Sequence, residues 1–123
     1  MVKIKFDFEV EINPEDINDL MVTALEGGIN YWCNEATIKD IPKGMEENII
    51  YASDAIGYGG TLILFDYESD EKHELNQEKF LRGVKMAMEH FDYGSFEDLF
   101  DNHDAETADC IVQFALFGEI VFG

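Results

Sequence analysis

One acidic and aromatic stretch, "EHFDYGSFEDLFDNHDAE" at residues 89–106, contains the side chains with the clearest chemical potential in this sequence. It holds seven carboxylates and four aromatic rings. Spaced carboxylates can stand in for phosphates and exposed rings for bases, so such a surface can occupy the Lys/Arg channel of a nucleic-acid enzyme. The candidate partner-binding residues are Asp92, Tyr93, Phe96, Glu97, Asp98 and Asp101. The alternative is that the phenylalanines are core residues and the acids simply point outward.

The few positive charges form a second candidate site. Lys79, Arg82 and Lys85 lie three apart, and on a helix they spread over roughly a third of its circumference. Such a patch would bind a phosphate, with Tyr31 or Trp32 as a stacking platform if the fold brings them near. The alternative is that these cations offset neighbouring acids on a solvated helix face.

Sequence signatures of catalysis and of metal binding are missing. There is no GxSxG elbow, and neither cysteine has the sequence surroundings of a nucleophile. The three histidines lack HxxxH or HExxH spacing, so we predict no metal site. The glycines of "AIGYGG" precede a predicted strand, whereas phosphate-binding loops follow one, which indicates a turn. The sequence therefore favours a protein that is not an enzyme and has no cofactor.

The charge balance limits the partners. The 123-residue chain carries 27 acidic and 8 basic residues, a net charge of −19. This argues against direct binding to DNA, RNA or anionic membranes, all of which need cationic surfaces, and favours a basic protein partner. No apolar run approaches a membrane span. Cys33 and Cys110 are expected to be buried reduced thiols, and the predicted location is the cytoplasm.

Hydrophobic periodicity predicts the elements of the first half. Residues 2–12 alternate between apolar and charged side chains, which is typical of a strand with one wet face. Asn13 is the predicted N-cap of a helix that ends at Gly27. "INYWCNEATI" at residues 29–38 is a second strand or extended segment, and residues 46–56 are predicted to be helical.

The second half contains the clearer helices. "TLILFDY", apolar on both faces, predicts a central strand, and residues 70–74 are interpreted as a solvated, charged connection. Asn76 is expected to cap the next helix and Asp104 the last one, which ends at Gly118. The last helix is apolar except for a narrow stripe of Glu106, Asp109 and Gln113. It is therefore central to the core or meets a partner subunit, and "EIVFG" after it adds a short strand or packs under the sheet.

These elements predict an α+β fold. We expect a single domain over residues 1–123, with a small, mostly antiparallel sheet of about three strands packed against three or four helices.

Two segments carry a resemblance. "VTALEGGINYWC" at residues 22–33 and "ADCIVQFALFGEIVFG" at residues 108–123 resemble uncharacterised short acidic proteins of phages and integrated mobile elements of Gram-positive bacteria. "GGTLILFD" at residues 59–66 is a third such segment. The resemblance implies an accessory protein that works in the host bacterial cytoplasm, and many such proteins counter host defences. It implies no site residue, because the group has no established activity.

Three functions follow as hypotheses. The first is a non-enzymatic anti-defence inhibitor that binds a basic host protein, a nuclease or other nucleic-acid enzyme, through an acidic nucleic-acid-mimicking surface. The second is a sponge that sequesters a small phosphorylated nucleotide signal through the cationic patch. The third is a phage structural or assembly component that forms a homo-oligomer through the C-terminal helix.

Overall fold

A three-stranded antiparallel sheet and four α-helices form one small α+β domain in the computed structural model, which describes Val2 and residues 9–123. The elements are α1 (Pro14–Thr23), β1 (Cys33–Asp40), β2 (Thr61–Asp66), β3 (Glu71–Leu75), α2 (Gln77–His90), α3 (Phe96–Asn102) and α4 (Ala105–Phe117). A π-helical turn at Ala24–Gly28 continues α1, so this helical segment ends one residue beyond the predicted Gly27. The predicted α+β class is confirmed.

β2 is the central strand, as its sequence predicts. The strand order is β1-β2-β3, and both pairings are antiparallel. Leu62 and Leu64 of β2 are fully buried, and Leu62 pairs with Leu75 of β3, which is also fully buried. One face of the sheet therefore supplies a continuous apolar layer to the core.

The prediction of a solvated connection at residues 70–74 is wrong, because Glu71–Leu75 form the edge strand β3. The Asp66 carboxylate closes the preceding turn by accepting hydrogen bonds from the backbone N–H groups of Glu68 at 2.9 Å and Ser69 at 3.0 Å. Asp70 has a left-handed φ of 58°, a conformation that aspartate tolerates better than most residues. Charged side chains are common on edge strands, since they discourage pairing with other chains.

The helix predicted at residues 46–56 is also wrong. A series of turns with one 3₁₀ turn, Ala52–Asp54, occupies this part of the chain. The Asp54 carboxylate accepts hydrogen bonds from the backbone N–H groups of Ile50 at 3.2 Å and Tyr51 at 3.0 Å. Side-chain bonds of this kind compete with helical bonds for the same backbone groups. The glycine segment still turns the chain into β2, with Gly59 at a φ of 84°.

The predicted helix caps are confirmed. Backbone N–H groups donate to the side chains of Asn13 at 2.9 Å, Asn76 at 2.9 Å and Asp104 at 2.8 Å. Gly118 ends α4 with a left-handed φ of 71°. Ser95 caps α3, a short helix that the sequence analysis did not predict.

The predictions for the two ends of the chain have different outcomes. Most of the strand predicted at residues 2–12 lies outside the described residues, and residues 9–12 belong to no helix or strand. At the other end, residues 118–123 form no strand, and the Phe122 ring instead stacks on Trp32 with centroids 4.9 Å apart. Phe122 therefore packs against the core, whereas the other residues of the tail are exposed, so the expected strand is wrong.

α4 is the central helix of the core. Every residue from Thr107 to Ala115 is buried, and α4 packs closely against α2. The two helices approach closely at Gly83, where an added Cβ would collide with the carbonyl oxygen of Ile111 and come 3.0 Å from the Cβ of Ala115. Gly83 therefore permits the close approach of the two helix backbones.

We expect Gly83→Ala to lower the free energy of unfolding by about 1–3 kcal/mol, because the added methyl group forces α2 and α4 apart. Without this contact, the same substitution in a helix interior would instead stabilise the protein by about 1 kcal/mol. The sign of the change, measured by urea denaturation, therefore tests the packing. In the control Gly94→Ala, no atom lies within 4 Å of the new Cβ, and the free energy of unfolding should be unchanged or raised by up to about 1 kcal/mol.

Candidate partner-binding surface

α3 presents part of the predicted acidic surface to solvent. The Ser95 hydroxyl starts this helix by accepting a hydrogen bond from the backbone N–H of Asp98 at 3.0 Å. Leu99 is fully buried and anchors the helix to the core. Glu97 and Asp101, four residues apart and both exposed, therefore lie on the same outward side of α3.

Five of the six predicted residues divide into two groups. Asp92, Glu97 and Asp101 are exposed. Asp98 and Tyr93 have local structural partners instead. The Asp98 carboxylate accepts hydrogen bonds from the backbone N–H of Gly94 at 3.1 Å and from Asn102 Nδ2 at 2.7 Å. The Tyr93 hydroxyl lies 2.8 Å from Thr107 Oγ1 at the start of α4.

Phe96 is half-buried at the edge of an apolar cavity of about 650 Å³. The walls come from the segment before α1 and from α1, α2 and α3, and include Ile12, Ile17, Leu81 and Val84. Two polar side chains, Lys85 and Gln77, also line this cavity. The predicted apolar anchor therefore lies beside an apolar recess and not on a flat surface.

A second cavity of about 400 Å³ adjoins the first and is acidic. Its lining includes Glu11, Asp16, Glu97 and Asp101. The two cavities share Val10, Ile12 and Phe96, and together we call them the α3 groove. Asp16 was missed as a site residue, since it lies some eighty positions from α3 in the sequence and no local pattern links it to that helix.

The cationic candidates do not converge on one site. Lys79 Nζ donates to the backbone carbonyl of Glu74 at 2.8 Å, and Arg82 Nη1 lies 3.8 Å from Glu78 Oε1. Lys85 lines the larger cavity. The contacts of Lys79 and Arg82 match the alternative interpretation, in which these cations offset neighbouring acceptors on the helix surface.

Trp32 offers no stacking face to a ligand. Its side chain is fully buried, its Nε1–H donates to Asp109 Oδ1 at 2.8 Å, and Phe122 stacks on its ring. Tyr31 is more exposed, and its hydroxyl donates to the second carboxylate oxygen of Asp109. Burial raises the pKa of Tyr31, and the adjacent Asp109 carboxylate raises it further. Both aromatic residues are therefore parts of a structural cluster around Asp109.

Gln113 extends this buried polar cluster to the C-terminal tail. Its Nε2 donates to Asp109 Oδ1 at 2.8 Å, and its Oε1 accepts from the backbone N–H groups of Val121 and Phe122, each at 2.8 Å. The three polar residues of the stripe on α4 therefore differ in exposure. Asp109 and Gln113 are buried and face the core, whereas Glu106 is exposed to solvent.

Asp66 and His73 contact each other within the fold, and the two cysteines are buried. His73 Nε2 lies 3.3 Å from Asp66 Oδ2. Burial would raise the pKa of Asp66, but hydrogen bonds from Ser69, His73 and the backbone outweigh this effect and lower it. Burial raises the pKa of Cys110 to about 11, and both cysteines are buried free thiols as predicted.

The described residues contain neither a metal-binding cluster nor a membrane-spanning helix. No group of three or more histidine, cysteine or acidic residues among Val2 and residues 9–123 is arranged to hold a metal ion. In the same part of the chain, no helix is long and apolar enough to cross a membrane.

Comparison with known proteins gave no relative. The chain matches no protein-family model, and neither a curated protein nor a solved structure matches it significantly.

We expect Asp109→Ala to lower the free energy of unfolding by at least about 2 kcal/mol, because the buried donors of Trp32 and Gln113 lose their acceptor and each unsatisfied donor costs about 1–3 kcal/mol. Urea unfolding followed by the fluorescence of Trp32, the only tryptophan, measures the change. Glu106→Ala, exposed on the first turn of the same helix, is the control, with an expected change within about 0.5 kcal/mol. Equal changes in the two variants would contradict a stabilising role of the cluster.

Proposed function

We propose that this protein is a non-enzymatic inhibitor that binds a basic nucleic-acid enzyme of the host through the acidic surface around α3. It acts as an accessory protein of a phage or mobile element in the host cytoplasm. The observation that carries the proposal is the exposure of Asp92, Glu97 and Asp101 around the half-buried ring of Phe96. Its assignment to a mobile element rests on the resemblance of residues 22–33 and 108–123.

Electrostatics support this mode of binding. At a net charge of −19, the protein is attracted to a basic cleft over a distance of about one Debye length, which is roughly 8 Å at physiological salt. Carboxylates that replace phosphates in such a cleft compete directly with the nucleic acid. The association should be fast and should weaken as salt rises.

The sponge hypothesis has less support from the geometry. Lys79 and Arg82 already contact acceptors on their own helix or next to it, and Trp32 is buried. Thermal stabilisation by nucleotides tests it directly, since a ligand at one hundred times its dissociation constant adds about 2.7 kcal/mol of stability.

The assembly hypothesis concerns α4. Residues 107–115 are buried within one chain, so this helix already has its packing partners without a second copy. Light scattering tests the hypothesis, because an assembly component should form an oligomer.

Affinity capture from a host lysate at low and moderate salt is the first test of the inhibitor function. We expect a basic nucleic-acid enzyme to be retained at low salt, released as salt rises, and inhibited by the protein in competition with its nucleic-acid substrate. Retention of proteins with no nucleic-acid activity at either salt concentration would contradict the proposal.

Charge reversal then tests the location of the surface. We expect Glu97→Lys with Asp101→Lys to weaken binding of the captured enzyme at least about tenfold, because two attractive contacts become repulsive. The control is Glu47→Lys with Glu68→Lys, which changes the net charge equally at two exposed positions in turns outside α3. An equal loss of affinity in both variants would show that binding depends only on the net charge and not on the α3 surface.

A further inference from the structure

We infer that the α3 groove accepts an amphipathic basic segment of the partner protein, with one apolar side chain in the larger cavity and one cationic side chain in the smaller. The inference rests on the proposed function, because it specifies how the same surface recognises its partner. It adds the apolar cavity and residues of α1 and α2 to the binding surface.

The larger cavity is suited to an apolar side chain. At about 650 Å³, it lies within the range of about 300–1,000 Å³ typical of ligand pockets. Ile17 and Val84 form buried parts of its wall, and Leu81 is 37% exposed beside them. Filling the cavity would remove this apolar surface from water, which drives association.

The smaller cavity is suited to a cation. Glu11, Asp16, Glu97 and Asp101 belong to three parts of the chain, residues 9–12, α1 and α3, and line one cavity of about 400 Å³. Carboxylates gathered in this way repel one another, and a guanidinium or ammonium group between them relieves the repulsion. Arginine suits the site best, since its planar group can bond two carboxylates at once.

The combination of the two cavities selects the occupant. A phosphorylated small molecule would be repelled by the acidic cavity, and a polyamine would leave the apolar cavity empty. A second copy of this chain, with a net charge of −19, would bring mainly like charge to the groove. Because the two cavities share Phe96, an apolar and a cationic side chain close together on one helix can enter both.

The test is an NMR titration of the isotope-labelled full chain with a synthetic amphipathic peptide in which a leucine and an arginine lie one helical turn apart. We expect localised shifts of the backbone amide signals of Ile12, Ile17 and Asp101. Replacing the arginine of the peptide by glutamate, or its leucine by serine, should raise the dissociation constant at least about tenfold. Shifts spread over all acidic surfaces, or no shifts at about 1 mM peptide, would overturn the inference.

A substitution in the protein separates apolar anchoring from charge attraction. Leu81→Glu adds a negative charge, so attraction by charge alone would leave peptide binding unchanged or make it tighter. If the cavity holds an apolar side chain, the same substitution should weaken binding at least about tenfold. Ile50→Glu is the control, because Ile50 is 69% exposed outside the groove and its substitution adds the same charge.

Failure of the inference and failure of the proposed function give different results. If Glu97→Lys with Asp101→Lys abolishes enzyme binding but Leu81→Glu does not weaken it, the acidic surface binds without the groove and only the inference fails. If the peptide binds in the groove but no nucleic-acid enzyme is captured, the proposed function fails and the groove remains a binding site for basic segments.

Discussion

The buried carboxylate of Asp109 is the interaction on which the arrangement of the C-terminal half depends. It lies on α4, the most apolar helix, and accepts hydrogen bonds from Trp32, Gln113 and Tyr31. A charge in such surroundings is very costly unless its acceptor sites are filled. A rotation of α4 that moved Asp109 away from Tyr31 and Trp32 would cost the carboxylate these hydrogen bonds. The cluster therefore specifies one arrangement of α4, of the start of β1 and, through Gln113, of the C-terminal tail.

This constraint also affects how the remaining charge is distributed. One side of α4 faces the cluster and another packs on α2 at Gly83. Among the described residues, most acidic side chains lie outside α4 and face water. Several lie where they stabilise the fold. Asp104 caps α4, and the backbone N–H of Thr107 is the main reason why the pKa of Asp104 is lowered. Carboxylates at helix starts interact favourably with the helix dipole, which offsets part of the repulsion between them.

The sequence correctly predicted those parts of the fold that depend on contacts between residues close together in the chain. The caps at Asn13, Asn76 and Asp104 and the central strand β2 depend on local spacing, and they were predicted correctly. β3 was missed because its charged residues suit an edge strand only when β2 is beside it. The helix predicted at residues 46–56 failed because Asp54 binds the backbone N–H groups there. The roles of Asp98 and Trp32 depend on contacts that periodicity does not encode.

Net charge alone cannot explain recognition of a particular partner. A charge of −19 spread over the whole surface attracts every basic protein and accelerates encounter, but it discriminates weakly among them. To discriminate among basic proteins, an interface needs a small region in which buried apolar contacts and charged contacts lie together. Such regions carry most of the binding energy in protein interfaces. Among the described residues, the α3 groove combines the two, with Phe96 shared between an apolar and an acidic cavity. In the proposed binding mode, the carboxylates elsewhere would contribute to solubility and to the rate of encounter, and the groove would determine which basic surface stays bound.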